Sequence, residues 1–296
     1  MKNAKNINLA KHVRRLGIVF RDMLEKISSM GRDETVRLCE ETFEKLSMEP
    51  PVLKLNCEKL LVTGDLHGDL ESCVNALRLA KLGEAKAVFL GDYVDRGPHQ
   101  DSVINLLLQM KNDNPDEIFL LRGNHETPSM NFSYGFLNLL VRKFGKDYGK
   151  VYEAYLRVFS EMPLAGIVNE RVMLVHGGLA KGLERIEELE KAGKGGFEPE
   201  DKKVFETLWN DPSEDVEDFS PNPRGPGIHC FGGKALERFL KNNNLRMMVR
   251  SHEPVLQGYR ILFNGLLITI FSCRFYGVKP TALELNKEKY LFKSLE

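Results

Sequence analysis

Cysteine is scarce in this sequence, and the few residues present are not spaced to act together. The 296 residues hold five: Cys39, Cys57, Cys73, Cys230 and Cys273. The number is odd and no two form C-x-x-C, which excludes a disulfide framework and a zinc–thiolate site and fits a reducing compartment. A surplus of either charge is also absent, with Lys+Arg and Asp+Glu at 42 each. Proteins that track phosphate backbones carry a basic excess, so a nucleic acid is not the expected partner. No apolar run approaches the roughly 18 residues that cross a bilayer. Charges scattered through the first residues rule out a signal peptide. The expectation is a cytoplasmic protein, a monomer or weak homo-oligomer, with neither membrane nor nucleic acid among its partners.

Leu9, Val13, Leu16, Phe20, Met23 and Ile27 step by four and three and share one helical face. Residues 1–48 are therefore predicted as a helical segment packed on its own domain; a dimer seam and a membrane-surface helix are the alternatives. Glu49-Pro50-Pro51 stops the helix, because proline removes a donor and restricts the residue before it. Residues 49–296 are expected to form the single catalytic domain.

From about residue 52 the pattern changes to short apolar runs that each end abruptly in polar residues. Leu60-Leu61-Val62 leads to Gly64-Asp65, Ala87-Val88-Phe89-Leu90 to Gly91-Asp92, and Ile118-Phe119-Leu120-Leu121 to Arg122-Gly123-Asn124-His125. Val172-Met173-Leu174-Val175 leads to His176, and Met247-Met248-Val249 to Arg250-Ser251-His252. Helical faces separate the first three runs: Leu70, Val74 and Leu77, then Val103 and Leu107. Buried strands alternating with helices predict a layered α/β fold. Sites in open α/β sheets form beyond the carboxyl ends of the strands, so these five ends should converge on one polar site. The stretches 190–200 and 212–227, rich in Gly, Pro, Ser and charge, read as surface loops.

The residues gathered at the strand ends are Asp65, His67, Asp92, Asp95, Arg96, Asn124, His125, His176 and His252, among them four of the seven histidines. Carboxylate, imidazole and amide ligands without thiolates suit Mn, Fe or Zn. Clustered carboxylates repel one another unless a cation lies between them. The supply is enough for two divalent ions sharing one carboxylate, an arrangement suited to displacement at phosphorus. Arginine adds a rigid fork that matches phosphate.

Gly64-Asp65-Leu66-His67-Gly68, Gly91-Asp92-Tyr93-Val94-Asp95-Arg96-Gly97 and Arg122-Gly123-Asn124-His125-Glu126, in this order and spacing, resemble the three signature blocks of the calcineurin-like metallophosphoesterases. Val175-His176-Gly177-Gly178-Leu179, Leu208-Trp209-Asn210-Asp211-Pro212, Arg250-Ser251-His252 and Phe271-Ser272 with Tyr276-Gly277 narrow the resemblance to the phosphoprotein phosphatase family of serine/threonine phosphatases. The likeness runs from about residue 30 to about 285 and implies a minimal, stand-alone catalytic subunit with central β-sheets, a β-sandwich, flanked by helices. It implies hydrolysis of phosphoserine and phosphothreonine esters by a metal-bridging hydroxide. Phosphorylated proteins would be the substrates and regulatory proteins the partners. Asp65, His67 and Asp92 would hold one metal; Asp92, Asn124, His176 and His252 would hold a second. His125 would be the general acid and Asp95 would orient it. Arg96 and Arg224 would bind phosphate, with Asn124 and Tyr276 beside it. Cys273-Arg274-Phe275 and Glu253-Pro254 depart from the family pattern.

Two decoys fail. His229-Cys230 lacks the arginine that a cysteine phosphatase needs, since Leu236 follows the five-residue spacer, so Cys230 is expected to be a buried small hydrophobe. Gly232-Gly233-Lys234 lacks the leading glycine and the Ser/Thr of a phosphate loop. A dinucleoside polyphosphate hydrolase and a non-catalytic phosphoprotein-binding module are the rival functions. The Trp209 block argues against the first, and the intact set of ligands and acid against the second.

Overall fold

The computed structural model describes residues 21–287 and 289–296. Helix over 21–28 leads into α1 (Arg32–Ser47), which ends before the prolines. Ile27 and Met30 are buried in the helical core, with Met23 and Leu24 packed against it. Leu9, Val13, Leu16 and Phe20 lie outside the described residues.

Five strands build one sheet in the order β14 (Tyr290–Ser294), β13 (Thr281–Asn286), β2 (Lys59–Thr63), β3 (Lys86–Phe89) and β4 (Ile118–Leu120). Six build the other: β1 (Val52–Leu55), β5 (Ala165–Val168), β6 (Val172–Val175), β10 (Met247–Arg250), β12 (Leu267–Ile270) and β11 (Tyr259–Leu262). The two sheets share a core in which Leu60, Val62 and Val88 face Leu174, Val249 and Ile268. The alternate residues Leu61, Ala87 and Phe89 point outward under α1, α2 (Leu70–Gly83), α3 (Gln100–Asp113) and α6 (Tyr148–Ser160). Strands buried on both faces read as continuous apolar runs, which is why these segments could be recognised. α7 (Glu187–Ala192) and α9 (Gly233–Asn242) cover the outer face of the six-stranded sheet, where Leu189, Leu236 and Phe239 meet Met173 and Met248. The result is a β-sandwich between helical layers.

Register carries the design to the site. β2, β3 and β4 are parallel, pairing Val62 with Val88 and Val88 with Phe119, so Asp65, Asp92 and Asn124 leave the sheet on one edge. β6 and β10 are also parallel, pairing Leu174 with Val249, and deliver His176 and His252 to that edge from the second sheet. The five strand ends thus converge from two sheets.

The loop assignments need correction. Residues 190–192 close α7, and 212–227 contains the strand β8 (Phe219–Pro221) of a small three-stranded sheet with β7 (Asp211–Pro212) and β9 (His229–Phe231). Backbone pairing by such short polar stretches leaves no periodic signal. Cys230 is half-buried on β9, because a strand of this small sheet has only one covered face.

Candidate active site

Each ligand-type side chain is fixed by something other than its own strand. His67 Nδ1 lies 2.8 Å from Val94 O and His176 Nδ1 lies 3.0 Å from Leu90 O. Those carbonyls take the imidazole protons and leave both Nε2 lone pairs directed inward, the usual way a histidine ligand is oriented. Asp65 Oδ1 accepts from Ser251 Oγ at 2.5 Å and from the His252 N–H at 2.9 Å, tying the two sheets together. His67, Asp92, Asp95, Arg96 and His252 all adopt positive φ, at 41°, 56°, 67°, 69° and 68°. Such conformations cost about 1–3 kcal/mol each and survive only where the surroundings impose them. Gly123 is required by contact: a Cβ there would stand 2.3 Å from Asp92 Oδ1.

Two acceptor clusters result, and they share Asp92. His67 Nε2 lies 3.5 Å from Asp92 Oδ2 and 3.7 Å from Asp65 Oδ2. His176 Nε2 lies 3.3 Å from Asp92 Oδ1, 2.9 Å from Asn124 Oδ1 and 3.2 Å from His252 Nδ1. The His67, Asp92 and His125 ligand atoms form one group of metal-binding dimensions, and those of Asp92, His176 and His252 form another. Because the His176 Nδ1 proton goes to Leu90, its Nε2 and Asn124 Oδ1 meet as two acceptors with no proton between them. A cation resolves that clash, so the residues fit divalent metal.

The electrostatics agree. Burial pushes Asp92 well above the usual carboxylate range, and the charges of Asp65 and Glu126 push it further. Burial lowers His67 to about 3 and His176 to about 4, and holds His252 well below its ordinary value with Arg224 adding to the effect. Neutral imidazoles beside crowded carboxylates form a set that is short of positive charge.

His125 stands apart from this set. Its Nδ1 lies 2.8 Å from Asp95 Oδ2, and its N–H donates to Asp92 Oδ1 at 2.9 Å. Burial raises Asp95 to about 7 and lowers His125 well below its ordinary value. Arg96 is exposed. Its guanidinium packs over Tyr134 at 4.8 Å and Tyr276 at 5.5 Å, donates to the Tyr276 hydroxyl, and lies 3.3 Å from His125 Nε2. Arg224 sits across the site on Asp211, its Nε donating to Oδ2 at 2.6 Å, and its charge acts on both His125 and His252.

The candidate site residues are therefore brought to one edge of the sandwich, with Arg224 held aside by Asp211. Several supporting residues were missed. Glu126, fully buried, accepts the N–H groups of Asp92, Tyr93 and Gly123 at 2.7, 2.9 and 2.9 Å. Asn131 donates to Asp95 Oδ2 at 3.1 Å and to His125 O at 2.7 Å. Ser272 Oγ accepts the Gly64 N–H at 2.9 Å, and the buried Arg250 donates to Asp211 Oδ1 at 2.9 Å. Glu126 and Arg250 stood inside the motifs, but their spacing gave them no role; Asn131 had no signal at all.

Comparison with known proteins extends over most of the chain. Residues 58–256 match the calcineurin-like phosphoesterase family. The chain is 35% identical over 251 residues to the serine/threonine-protein phosphatase 6 catalytic subunit of Caenorhabditis elegans, covering 83% of this chain and 74% of that one. It is 33% identical over 289 residues to the serine/threonine-protein phosphatase 4 catalytic subunit of Saccharomyces cerevisiae, covering 92% of each. A solved protein serine/threonine phosphatase of Saccharomyces cerevisiae superposes with a TM-score of 0.83 at 25% identity, over 93% of this chain and 96% of that one.

Proposed function

The chain belongs to the calcineurin-like phosphoesterases and is a metal-dependent serine/threonine protein phosphatase, and from that premise we propose how its own residues perform the hydrolysis. Asp65, His67 and Asp92 would hold one divalent ion; Asp92, Asn124, His176 and His252 would hold a second. Manganese, or iron with zinc, suits these ligands. The observation that supports this division is the Asp92 carboxylate, whose Oδ2 faces His67 while its Oδ1 faces His176. Two bound cations supply positive charge that neutralises phosphoryl oxygens and acidifies water.

The remaining work falls to side chains. Arg96 presents a guanidinium to the phosphate, and Tyr276 orients it from one side. Arg224 contributes positive charge from the other side, with Asn124 between. His125 gives its Nε2 proton to the departing serine or threonine oxygen, and Asp95 holds the ring by Nδ1. Water is the nucleophile, and no side chain becomes phosphorylated. Residues 49–296 act as one catalytic domain, with residues 21–48 packed on it. The substrates are phosphorylated proteins, and regulatory proteins bind as they do to catalytic subunits of this kind.

The test is an activity panel on phosphoserine, phosphothreonine and phosphotyrosine peptides and dinucleoside tetraphosphate, run with Mn and with chelator. Turnover of the first two peptides that needs metal is expected. Full activity after prolonged dialysis against excess chelator overturns the two-metal reading, and preference for the dinucleotide overturns the substrate class.

A further inference from the structure

Tyr276 ends a tight turn, and the start of that turn is anchored by a residue to which the reaction gives no role. The turn runs Arg274–Tyr276, at a point where the sequence departs from its family's pattern. The Arg274 N–H donates to Asp69 Oδ2 at 2.9 Å, and the Arg274 Nε donates to the same oxygen at 3.1 Å. One terminal nitrogen reaches Glu71 and the other reaches Ser72 Oγ at 3.3 Å. Asp69 is 1% exposed and also caps α2, accepting the Ser72 N–H at 3.1 Å. A buried carboxylate with charged donors makes strong, directional bonds. α2 begins directly after the loop that bears Asp65 and His67, so Arg274 ties the Tyr276 turn to the frame of the metal ligands.

At the far end of the turn the Tyr276 ring lies 5.7 Å from His67 and 5.0 Å from Phe271, and its hydroxyl accepts from Arg96. An exposed arginine has rotamer entropy to lose before it can grip a phosphate. A fixed hydroxyl beside it removes part of that cost in advance.

We propose that Arg274 is a positioning residue for substrate phosphate: by clamping the turn to Asp69 it fixes Tyr276, and through the Tyr276 hydroxyl it sets the direction of the Arg96 guanidinium. The inference rests on Arg96 binding phosphate. The readouts are KM for p-nitrophenyl phosphate and competitive inhibition by inorganic phosphate, with metal content and circular dichroism measured alongside. The loss of roughly one hydrogen bond's worth of orientation should raise both KM and the phosphate inhibition constant about three- to tenfold in Arg274→Met. Its kcat and metal content should hold, and Arg274→Lys should recover part of the loss. Tyr276→Phe should cost a similar factor, and the double variant should be no worse than Tyr276→Phe alone, because the two act in series.

Arg96→Ala separates the two levels. If it raises KM and the inhibition constant while Arg274→Met moves neither, the clamp is wrong and the phosphate site stands. If Arg96→Ala moves neither, the phosphate site itself is wrong. A fall in kcat or metal content at unchanged KM, or additive losses in the double variant, makes Arg274 a scaffold residue and overturns the inference. Should Arg274→Met fail to fold, the KM split is read from Arg274→Lys.

Discussion

The side-chain amide of Asn131 donates to Asp95 Oδ2 at 3.1 Å, the same oxygen on which His125 Nδ1 rests at 2.8 Å. Its second hydrogen bond, to His125 O at 2.7 Å, holds the backbone of the proton donor itself. Asn131 thus fixes both members of the acid pair without touching substrate. Arg96 lies 3.3 Å from His125 Nε2, and the Tyr134 ring lies 5.2 Å from the His125 ring.

Asn131→Ala should therefore loosen the pair and leave the metals in place. The loss of about 1–1.5 kcal/mol of orientation predicts a fall of roughly tenfold in kcat on a phosphoserine peptide. p-Nitrophenyl phosphate, whose leaving group hardly needs a proton, should lose little. Steady-state kinetics on both substrates check this, and an equal loss on both would show that Asn131 acts on the fold in general.

His125→Asn tests the acid directly. General acid catalysis contributes on the order of 10²–10⁴ in rate. The variant should lose that range on phosphoserine and phosphothreonine peptides, mainly in kcat, while p-nitrophenyl phosphate turns over at nearly its former rate. His176→Asn should harm both substrates alike, since it removes a metal ligand. If His125→Asn slows both equally and metal content falls, His125 is a ligand, a role that its place near His67 and Asp92 also permits.

The sequence made these side chains legible because each lies just beyond a doubly buried strand, where an apolar run breaks into glycine and a ligand-type residue. β2, β3, β4, β6 and β10 could be read for that reason. β1 (Val-Leu-Lys-Leu) and the edge strand β11, exposed at three of its four residues, carry no comparable run. β5 and β12 are buried throughout, but neither is followed by the aspartate or histidine that made the other runs stand out. Asn131 escaped notice, and Ser251 and Ser272 stood in motifs without a role, because all three serve backbone groups or carboxylates distant in sequence, and no spacing encodes that. The Arg224–Asp211 pair depended on the small sheet β7–β9–β8, which no periodicity announces.

Cys230 bears on the nucleophile. Burial, together with the charges of Asp211 and Glu253, raises its thiol above the ordinary value, so it is protonated at neutral pH and a poor nucleophile. Cys230→Ser should keep activity within about twofold, since loss of a half-buried thiol disturbs little packing. Acid-quenched enzyme exposed to radiolabelled substrate should retain no covalent phosphate. Label trapped on the wild-type chain and lost in Cys230→Ser would replace water attack with a covalent route.

The metal-free protein makes the sharpest prediction about Asp92. Its carboxyl is raised by burial and by the negative charges of Asp65 and Glu126, so without metal it keeps its proton to higher pH than an ordinary carboxyl. The imidazoles are shifted the opposite way, His67 to about 3 and His176 to about 4, and are already neutral. Metal binding should therefore displace the proton of this carboxyl group and none from these histidines. Calorimetric titration with Mn in two buffers of different ionisation enthalpy should report proton release. The sign for stability follows. A carboxyl raised in the folded state stabilises the metal-free fold at low pH, and that contribution is lost as pH rises through its folded value. Metal affinity rises over the same interval, so the melting-temperature gap between loaded and stripped protein should widen from pH 5 to pH 7.5. Asp92→Asn should abolish proton release and remove more activity than Asp65→Asn, because only Asp92 faces both clusters. If release persists in Asp92→Asn, or affinity falls with a midpoint near 6.5, then histidines carry the proton and the order of charges deduced for this site is reversed.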